Sequence, residues 1–431
     1  MAKIITIKDA LTLINANDEV VLGMAGAEPQ DMIQHLHELR KQGKTPTITN
    51  CLPMTPASYI SGNQDEVLAI NSWFFGSSLR KSFHEGRISF IPNHLHLAGK
   101  RRFETHPVDV YIGAATPPDE EGFVSLSLSN VYEKQAIKKA TISILEINPN
   151  MPRTHGDLKI HQDEIDYFIE STYTPPILED QAPNDKDLII GKYIADKIDD
   201  GACLQLGIGG IPNAVAHALL DKKDLGIHTE MFTTGLMHLI KSGAANGKRK
   251  QTHPHKHVCC FALGTQELYD FLHNNDDVEI RDGNYVNDPY IIGLNDNQVS
   301  INTTIEIDLS GQCASESIGI KHFSGTGGQT DTAVGAQRSK NGKSFITLYS
   351  TAMVKVPGQE ERKMISKIVP TLKEGAAVTL SRNDVDYVVT EYGIAHLRGA
   401  TLKERAYRLI QIAHPDFRDD LMKHAKDMYH I

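Results

Sequence analysis

Residues 200–219 read DGACLQLGIGGIPNAVAHAL. An acidic residue opens the stretch. A short apolar run, a glycine-rich turn, a proline and an amphipathic run follow. This is the pattern of a β-strand passing through a tight turn into a helix. Pro212 suits the first helical position, where its missing amide costs nothing. Residues 18–38, DEVVLGMAGAEPQDMIQHLHE, repeat the pattern, and a helical segment precedes each copy, at 10–15 and 190–198. The offset is close to half the chain. Strand–turn–helix units also recur by chance in α/β proteins, so duplication and coincidence both stay open at this point.

Working outward, apolar β-type runs at 19–22, 47–51, 108–112, 140–147, 202–206, 258–263 and 345–349 alternate with helical patterns. That argues an α/β fold with mainly parallel sheet. Residues 299–309 differ: Val299, Ile301, Thr303, Ile305, Ile307 and Leu309 alternate with polar residues, which predicts one period-2 strand with a polar face. Residues 401–413 read as a helix. The Pro-rich polar stretch from Thr174-Pro175-Pro176 to Pro183-Asn184-Asp185 suits a linker. It divides the chain into an N-terminal domain, 1–182, and a C-terminal domain, 183–431.

The chain has 431 residues, 40% apolar and 23% charged, which fits an ordinary globular protein with a sizeable core. No window approaches 18 apolar residues in a row, and the N-terminus lacks the apolar stretch of a signal peptide. A protein placed neither in a membrane nor outside the cell is expected. Forty-four basic residues against 54 acidic ones give a net charge of −10, a poor match for duplex nucleic acid. The cysteines, Cys51, Cys203, Cys259, Cys260 and Cys313, are odd in number and lack CxxC spacing. A reducing cytoplasm fits them better than disulfides.

Four places are suited to chemistry. In Gly207-Ile208-Gly209-Gly210-Ile211-Pro212 the glycines permit a tight turn, and free amides at a helix start favour a phosphate or oxyanion. A plain strand–helix connection has the same look. Gly325-Thr326-Gly327-Gly328-Gln329 holds more glycine than a simple turn needs, with Arg338, Lys340 and Lys343 downstream as charge for a phosphate-bearing ligand. The alternative is a surface loop with solvated charges. Glu230, in HTEMFTTG, closes a short apolar run where ligands gather in open α/β sheets, and such a carboxylate can be a nucleophile, a base or a ribose ligand. Glu391 closes the run 387–390 ahead of the final helices, with Arg398 nearby; an ion pair at a helix entry is the bland reading. The His253, His255 and His257 tract beside Cys259 and Cys260 lacks a second ligand pair at zinc spacing and reads as a solvated loop. His94 and His96 share a face if extended, without a third ligand nearby. No metal site is assigned. GxSxG, HExxH and P-loop motifs are absent.

GIGGIP at 207–212, HTEMFTTG at 228–235, SGTGGQTD at 324–331, VVTEYGIAHLRG at 388–399 and IAHPDFRDDL at 412–421 occur in that order. Together they resemble the acetyl-CoA hydrolase/transferase family, in particular its 4-hydroxybutyrate and butyryl-CoA:acetate CoA-transferase branch, over essentially the whole chain. The resemblance implies two related open-sheet α/β domains of the CoA-transferase type with the active site between them, in a homodimer or larger homo-oligomer. It implies coenzyme A as substrate, carried on an acyl-CoA and passed to a short-chain carboxylate, with no metal. Glu230 matches the family's nucleophile, which forms a glutamyl-CoA thioester. Glu391 matches an active-site glutamate that shapes the pocket or orients Glu230. Gly207, Ile208, Gly209, Gly210, Ile211, Asn302, Gly325, Gly327 and Gly328 match positions that contact CoA. The Ile208 and Gly328 amides are candidate oxyanion donors. Residues 50–54, 73–75 and 93–96 are expected to line the acyl pocket.

Three other readings compete. Water could resolve the same intermediate, giving an acyl-CoA hydrolase. Gly207 and Gly209 after a strand, with Glu230 further on, could serve a nicotinamide dehydrogenase, although Pro212 takes the third glycine's place. A non-catalytic CoA-binding protein would bind without turnover.

Overall fold

The computed structural model describes residues 2–355 and 361–431. Two open sheets organise the chain. The first has eight parallel strands in the order Lys3–Ile4, Tyr167–Glu170, Ile142–Ile147, Val110–Ala115, Glu19–Leu22, Thr47–Asn50, Ala69–Ser72 and Ile88–Phe90. The second runs Gly226–Ile227, Cys203–Leu206, Gln298–Thr303, Lys343–Thr347 and Tyr387–Thr390 in parallel, with Gly393–His396 antiparallel at its edge. The fold is α/β with open parallel sheets, as the alternating pattern predicts. Val110–Ala115 is buried along its whole length. A continuous apolar run of this kind belongs to a parallel strand covered on both faces.

The two stretches that echo each other hold equivalent places. Each supplies the strand beside which the order reverses. Glu19–Leu22 lies between Val110–Ala115 and Thr47–Asn50, and Cys203–Leu206 lies between Gly226–Ile227 and Gln298–Thr303. Crevices outside the carboxyl ends of such strands are where open α/β sheets bind ligands. The helices Ile7–Leu13 and Asp185–Ala195 precede the two strands.

One apolar core fills the space between the sheets, with Val21, Tyr111 and Leu145 on one side and Leu204, Ile301 and Phe345 on the other. A second core lies behind the first sheet around Val20, Ile48 and Val110. A third joins Ile346 and Val388 to the closing helices Leu402–Gln411 and Pro415–Tyr429. Each large apolar side chain buried this way contributes about 1.5–3 kcal/mol. The stretch 171–184, free of helix and strand, crosses from one sheet to the other. Tyr173 donates from its hydroxyl to the Glu28 carbonyl at 3.2 Å, and the Leu178 amide donates to the Gly264 carbonyl at 2.9 Å.

Three sequence expectations are corrected. The single strand expected over 299–309 breaks after Thr303. Glu306–Asp308 joins a separate small sheet with Cys313–Ala314 and Ile368–Val369. The Thr304 hydroxyl donates to the carbonyls of Glu306 and Ala314, which turns the chain. On the polar face of the first half, Ser300 is fully buried and Asn302 half-buried. The run 258–263 divides at Cys260, with His257–Cys259 paired to Val278–Ile280 and Phe261–Ala262 paired to Met231–Phe232. Finally, Pro212 is the third residue of the helix Gly210–Ala218, not the first. The first few amides of a helix have no intrahelical partner, so proline is tolerated there too.

Among the described residues, no helix is long and apolar enough to cross a membrane. All five cysteines are free and buried.

Candidate active site

Glu230 sits in the kink between the short strands Gly226–Ile227 and Met231–Phe232. The break at Cys260 builds this kink. The Cys260 amide and thiol both turn to the Glu230 carbonyl, at 3.0 and 3.2 Å, instead of extending a strand. The Glu230 side chain is held from two directions. Asn287 Nδ2 donates to Oε2 at 2.7 Å, and the Gly328 amide donates to the carboxyl as well. Burial pushes the carboxyl up to about 7. The Asn287 and Gly328 bonds oppose that rise and the nearby Asp331 charge adds to it.

The carboxyl opens into a cavity of about 310 Å³ at the carboxyl ends of both sheets. Met24, Cys51, Leu52, Phe74 and Leu95 come from the first half of the chain, from segments expected to line the acyl pocket or, for Met24, from the first echo turn. Met231 and Phe261 continue this apolar wall beside Glu230.

The opposite wall is polar and comes from the two glycine segments. Gly207 and Ile208 line the cavity, while Gly209, Gly210 and Ile211 turn into an adjoining hollow with Asp187, Tyr349 and Lys367. Ile208 and Thr303 border both spaces. Gly209 has φ +108° and ψ −176°, a conformation that side-chain-bearing residues avoid. Gly210 meets a buried carboxylate: a methyl group there would lie 2.2 Å from Asp187 Oδ2. Asp187 is itself fixed by the Tyr349 hydroxyl at 2.6 Å and the Asn184 amide at 3.0 Å.

Asn302 reaches the cavity from the strand Gln298–Thr303. Its Nδ2 lies 2.9 Å from Ser300 Oγ and 3.0 Å from Thr332 Oγ1. Gln205 Oε1 accepts from the Ser300 hydroxyl at 3.0 Å, which completes a buried polar net. In the second loop, Gly325, Gly327 and Gly328 all border the cavity. The loop leads into the helix Gln329–Arg338. A methyl group on Gly325 would lie 2.3 Å from the Trp73 carbonyl, so this close approach needs glycine.

The charged residues near these segments find partners of their own. Arg338 ends the ten-residue helix that starts at the loop, about 15 Å away by helical rise, and stacks on Tyr290. Lys340 pairs with Asp296 and Lys343 with Asp199. None of the three borders the cavity. Arg398 is taken up by Asp386 at 2.5 Å. The histidine tract is no solvated loop throughout: His257 is buried on its strand, and His253 bonds the Tyr285 hydroxyl at 2.9 Å.

Glu391 lies just after the strand Tyr387–Thr390. Its carboxyl accepts from Lys186 Nζ at 2.8 Å and from the Ser350 amide and hydroxyl, both at 2.9 Å. Burial acts to raise it, but these donors outweigh that and hold it below the usual carboxylate range. It does not border the Glu230 cavity. The bonded partners Ser350 and Lys186 place it on the side of the adjoining hollow, beside Tyr349.

Sequence reasoning missed Asn287, Gln205, Thr332 and Asp331. Asn287 directly follows the four-residue helix Gly283–Val286 in Gly283-Asn284-Tyr285-Val286-Asn287-Asp288-Pro289, a stretch that reads as turn chemistry. Asp331 closes the stretch SGTGGQTD at 324–331, where residue type alone points to no role. Its buried carboxylate accepts from the His96 amide at 3.1 Å and sits 2.9 Å from His96 Nδ1.

Comparison with known proteins gives the family. Residues 1–179 match the acetyl-CoA hydrolase/transferase N-terminal domain, and residues 264–425 match the C-terminal domain of the same name. The chain is 43% identical to a succinyl-CoA:cyclohexane-1-carboxylate CoA transferase of Geobacter metallireducens, over 98% of this chain and 95% of that protein. It is also 43% identical to a 4-hydroxybutyrate coenzyme A transferase of Clostridium kluyveri, over 99% and 98%. The crystal structure of RipA from Yersinia pestis, 33% identical, superposes with a TM-score of 0.89 over 100% of this chain and 98% of that one.

Proposed function

This chain belongs to the acetyl-CoA hydrolase/transferase family, and from that premise we propose that it moves CoA between a short-chain acyl-CoA and a carboxylic acid through Glu230. The enzyme is an acyl-CoA:carboxylate CoA-transferase, as are the relatives it matches over nearly its full length. The observation that carries the role of Glu230 is its carboxyl, bonded by Asn287 Nδ2 and the Gly328 amide, in the cavity where both sheets end.

The chemistry balances without metal or ATP, because one thioester replaces another. A carboxylate oxygen of Glu230 attacks the thioester carbonyl, and the CoA thiolate leaves an acyl-glutamyl anhydride. The thiolate then attacks Cδ of Glu230. The first acid departs as its carboxylate, and glutamyl-CoA thioester remains. An incoming carboxylate attacks Cδ and expels the thiolate, which takes the new acyl group from the second anhydride and restores Glu230. Covalent catalysis divides one hard exchange into easier steps.

When Cδ becomes tetrahedral, the negative charge gathers on its remaining oxygen. Asn287 Nδ2 already donates to Oε2 and the Gly328 amide bonds the same carboxyl, so they need not reorganise to stabilise it. Ile208, at the rim of both spaces, is a second amide source for the acyl oxyanion. Gly207, Ile208, Asn302, Gly325, Gly327 and Gly328 border the chamber for the thioester end of CoA. Gly209, Gly210 and Ile211 border the way out, toward Lys367. Glu391 acts there as a positioning residue, holding Lys186 and the Ser350 turn. Energy from binding the rest of CoA can press the thioester onto Glu230. The same proposal places the protein in the cytoplasm as a homo-oligomer, which a native mass measurement tests.

The decisive experiment incubates the purified protein with acetyl-CoA or butyryl-CoA and a labelled short-chain carboxylate. Label entering acyl-CoA with little free thiol supports transfer. Thiol release independent of the acid makes the protein a hydrolase. Full transfer by Glu230→Ala refutes the role of Glu230.

A further inference from the structure

The groups bonded to the Glu230 carboxyl come from the second half of the chain, but the turn that carries Gly328 is fastened to the first half. Residues 94–97 make the fastening. The Leu95 amide donates to the Gly327 carbonyl at 3.1 Å. One residue on, the His96 amide and Nδ1 engage the two oxygens of Asp331, at 3.1 and 2.9 Å. Asp331 is only 1% exposed and belongs to the first turn of the helix that starts at Gln329. Gly327 and Asp331 therefore bracket Gly328, and both are tied to the same short segment of the other half. Asn284 steadies that segment through the His96 carbonyl, at 2.5 Å.

The Gly328 amide has little freedom to miss. A methyl group on its Cα would lie 1.8 Å from Glu230 Oε2, so the peptide is pressed against the carboxyl. A shift of the turn by a fraction of this contact changes both the hydrogen bond and the space for a tetrahedral Cδ. Displacements of about 1 Å in positioning elements cost up to about 100-fold in rate.

From this arrangement we infer that His96, acting through Asp331, is a positioning residue: it fixes the Gly327–Gly328 turn on Glu230. The inference rests on Glu230 being the nucleophile. It gives the first half of the chain a part in the chemistry beyond lining the acyl pocket. It also couples the reaction to charge. Burial raises the Glu230 carboxyl most, and the Asp331 carboxylate is the nearby anion that adds to the rise. The other titratable groups facing Glu230 are the Cys51 and Cys260 thiols, from the first and second halves. Asp331 itself faces His96 and, at 3.9 Å, His94 Nδ1. Burial pushes both thiols well above their usual range, so they stay neutral while Glu230 titrates. The Asp331 carboxylate is then the charge that acts on it.

The test compares His96→Ala, His96→Asn, Asp331→Asn and Glu230→Gln in the labelled-carboxylate assay, with kcat and KM for acyl-CoA measured across pH. Asparagine can reproduce the Nδ1 donor, while alanine cannot. Expected are a kcat at least about 10-fold lower for His96→Ala with KM changed by less than about threefold, and recovery to within about threefold of wild type for His96→Asn. In Asp331→Asn the acid limb of the kcat profile moves to lower pH by about half a unit or more, because the like charge is gone. A merely structural contact would lower the yield of folded enzyme in all three variants and leave the acid limb of the survivors unmoved. If His96→Ala keeps wild-type kcat, or the acid limb stays put in Asp331→Asn, the positioning role is overturned. If Glu230→Gln retains transfer, it is the nucleophile that is wrong. The two failures are thereby told apart.

Discussion

Gly328→Ala isolates the contact on which the proposed chemistry turns. The backbone of Gly328, at φ −101° and ψ 15°, suits alanine, so no conformational strain arises from the exchange itself. The new methyl group would stand 1.8 Å from Glu230 Oε2 and 2.2 Å from Asn287 Nδ2. Ordinary contact lies near 3.5 Å, so the carboxyl must recede by roughly 1.5 Å. It loses the bond from Asn287, the bond from the Gly328 amide, or both. Misplacement on this scale costs about 100-fold in rate, or roughly 2.7 kcal/mol of transition-state stabilisation. The fall should appear in kcat for transfer of labelled carboxylate into acyl-CoA, and in the amount of CoA held covalently on the protein by mass spectrometry. Overall stability should drop by only about 1 kcal/mol, the worth of one hydrogen bond. Gly327→Ala is the internal control. Its methyl group would keep 3.9 Å from Glu230 Oε1, and its cost is backbone strain at φ +56°, about 1–2 kcal/mol of stability. If Gly328→Ala transfers CoA at the wild-type rate, or if Gly327→Ala is the more damaged in kcat, the carboxyl is not where the reaction occurs.

Other outcomes follow from the same geometry. Asn287→Ala removes the 2.7 Å donor from Oε2 and should lower kcat about 100- to 1000-fold, with acyl-CoA affinity measured by calorimetry changed little. The nucleophile must be ionised, so with its carboxyl pushed up to about 7 by burial, transfer should fall as pH drops through 7 and level off above 8. The same group gives a stability test. A raised carboxyl means that the folded state binds the proton more tightly, so wild-type stability declines as pH rises from about 4.5 to 7 and is then constant. Glu230→Gln escapes that loss and should melt at a higher temperature than wild type at pH 8 but not at pH 4; equal melting curves at both would contradict it. Asp187→Ala leaves the Tyr349 hydroxyl without its 2.6 Å acceptor and loosens the first glycine turn. It should raise KM for acyl-CoA and destabilise the fold by about 1–3 kcal/mol, read from chemical denaturation.

How much of this was legible in the sequence depends on the range over which each feature is decided. The strand–turn–helix at 200–219, its echo at 18–38 and the continuous apolar runs announced parallel α/β sheets, because periodicity and turn chemistry are local properties of the chain. The same holds for Glu230 after a short strand and for the two glycine segments, whose residue types declare what the backbone must do. Tertiary structure decided the rest. The period-2 pattern over 299–309 looked like one strand, yet Thr304 turns it at a place fixed by carbonyls of Glu306 and Ala314. Lys340 and Lys343 looked free for a ligand, yet Asp296 and Asp199, far off in sequence, claim them. Asn287 and Asp331 gave no signal. A buried polar side chain takes its meaning from the partner that faces it, and that partner, Glu230 or His96, is 57 or 235 residues away. Residue type and spacing thus singled out Glu230 and the glycine-rich backbone beside it as candidates, and the family resemblance supplied the proposed role of nucleophile. Only the meeting of the two sheets' carboxyl ends set a carboxyl between an amide and a loop, with its pKa pushed up to about 7 by burial and its geometry held from the other half of the chain.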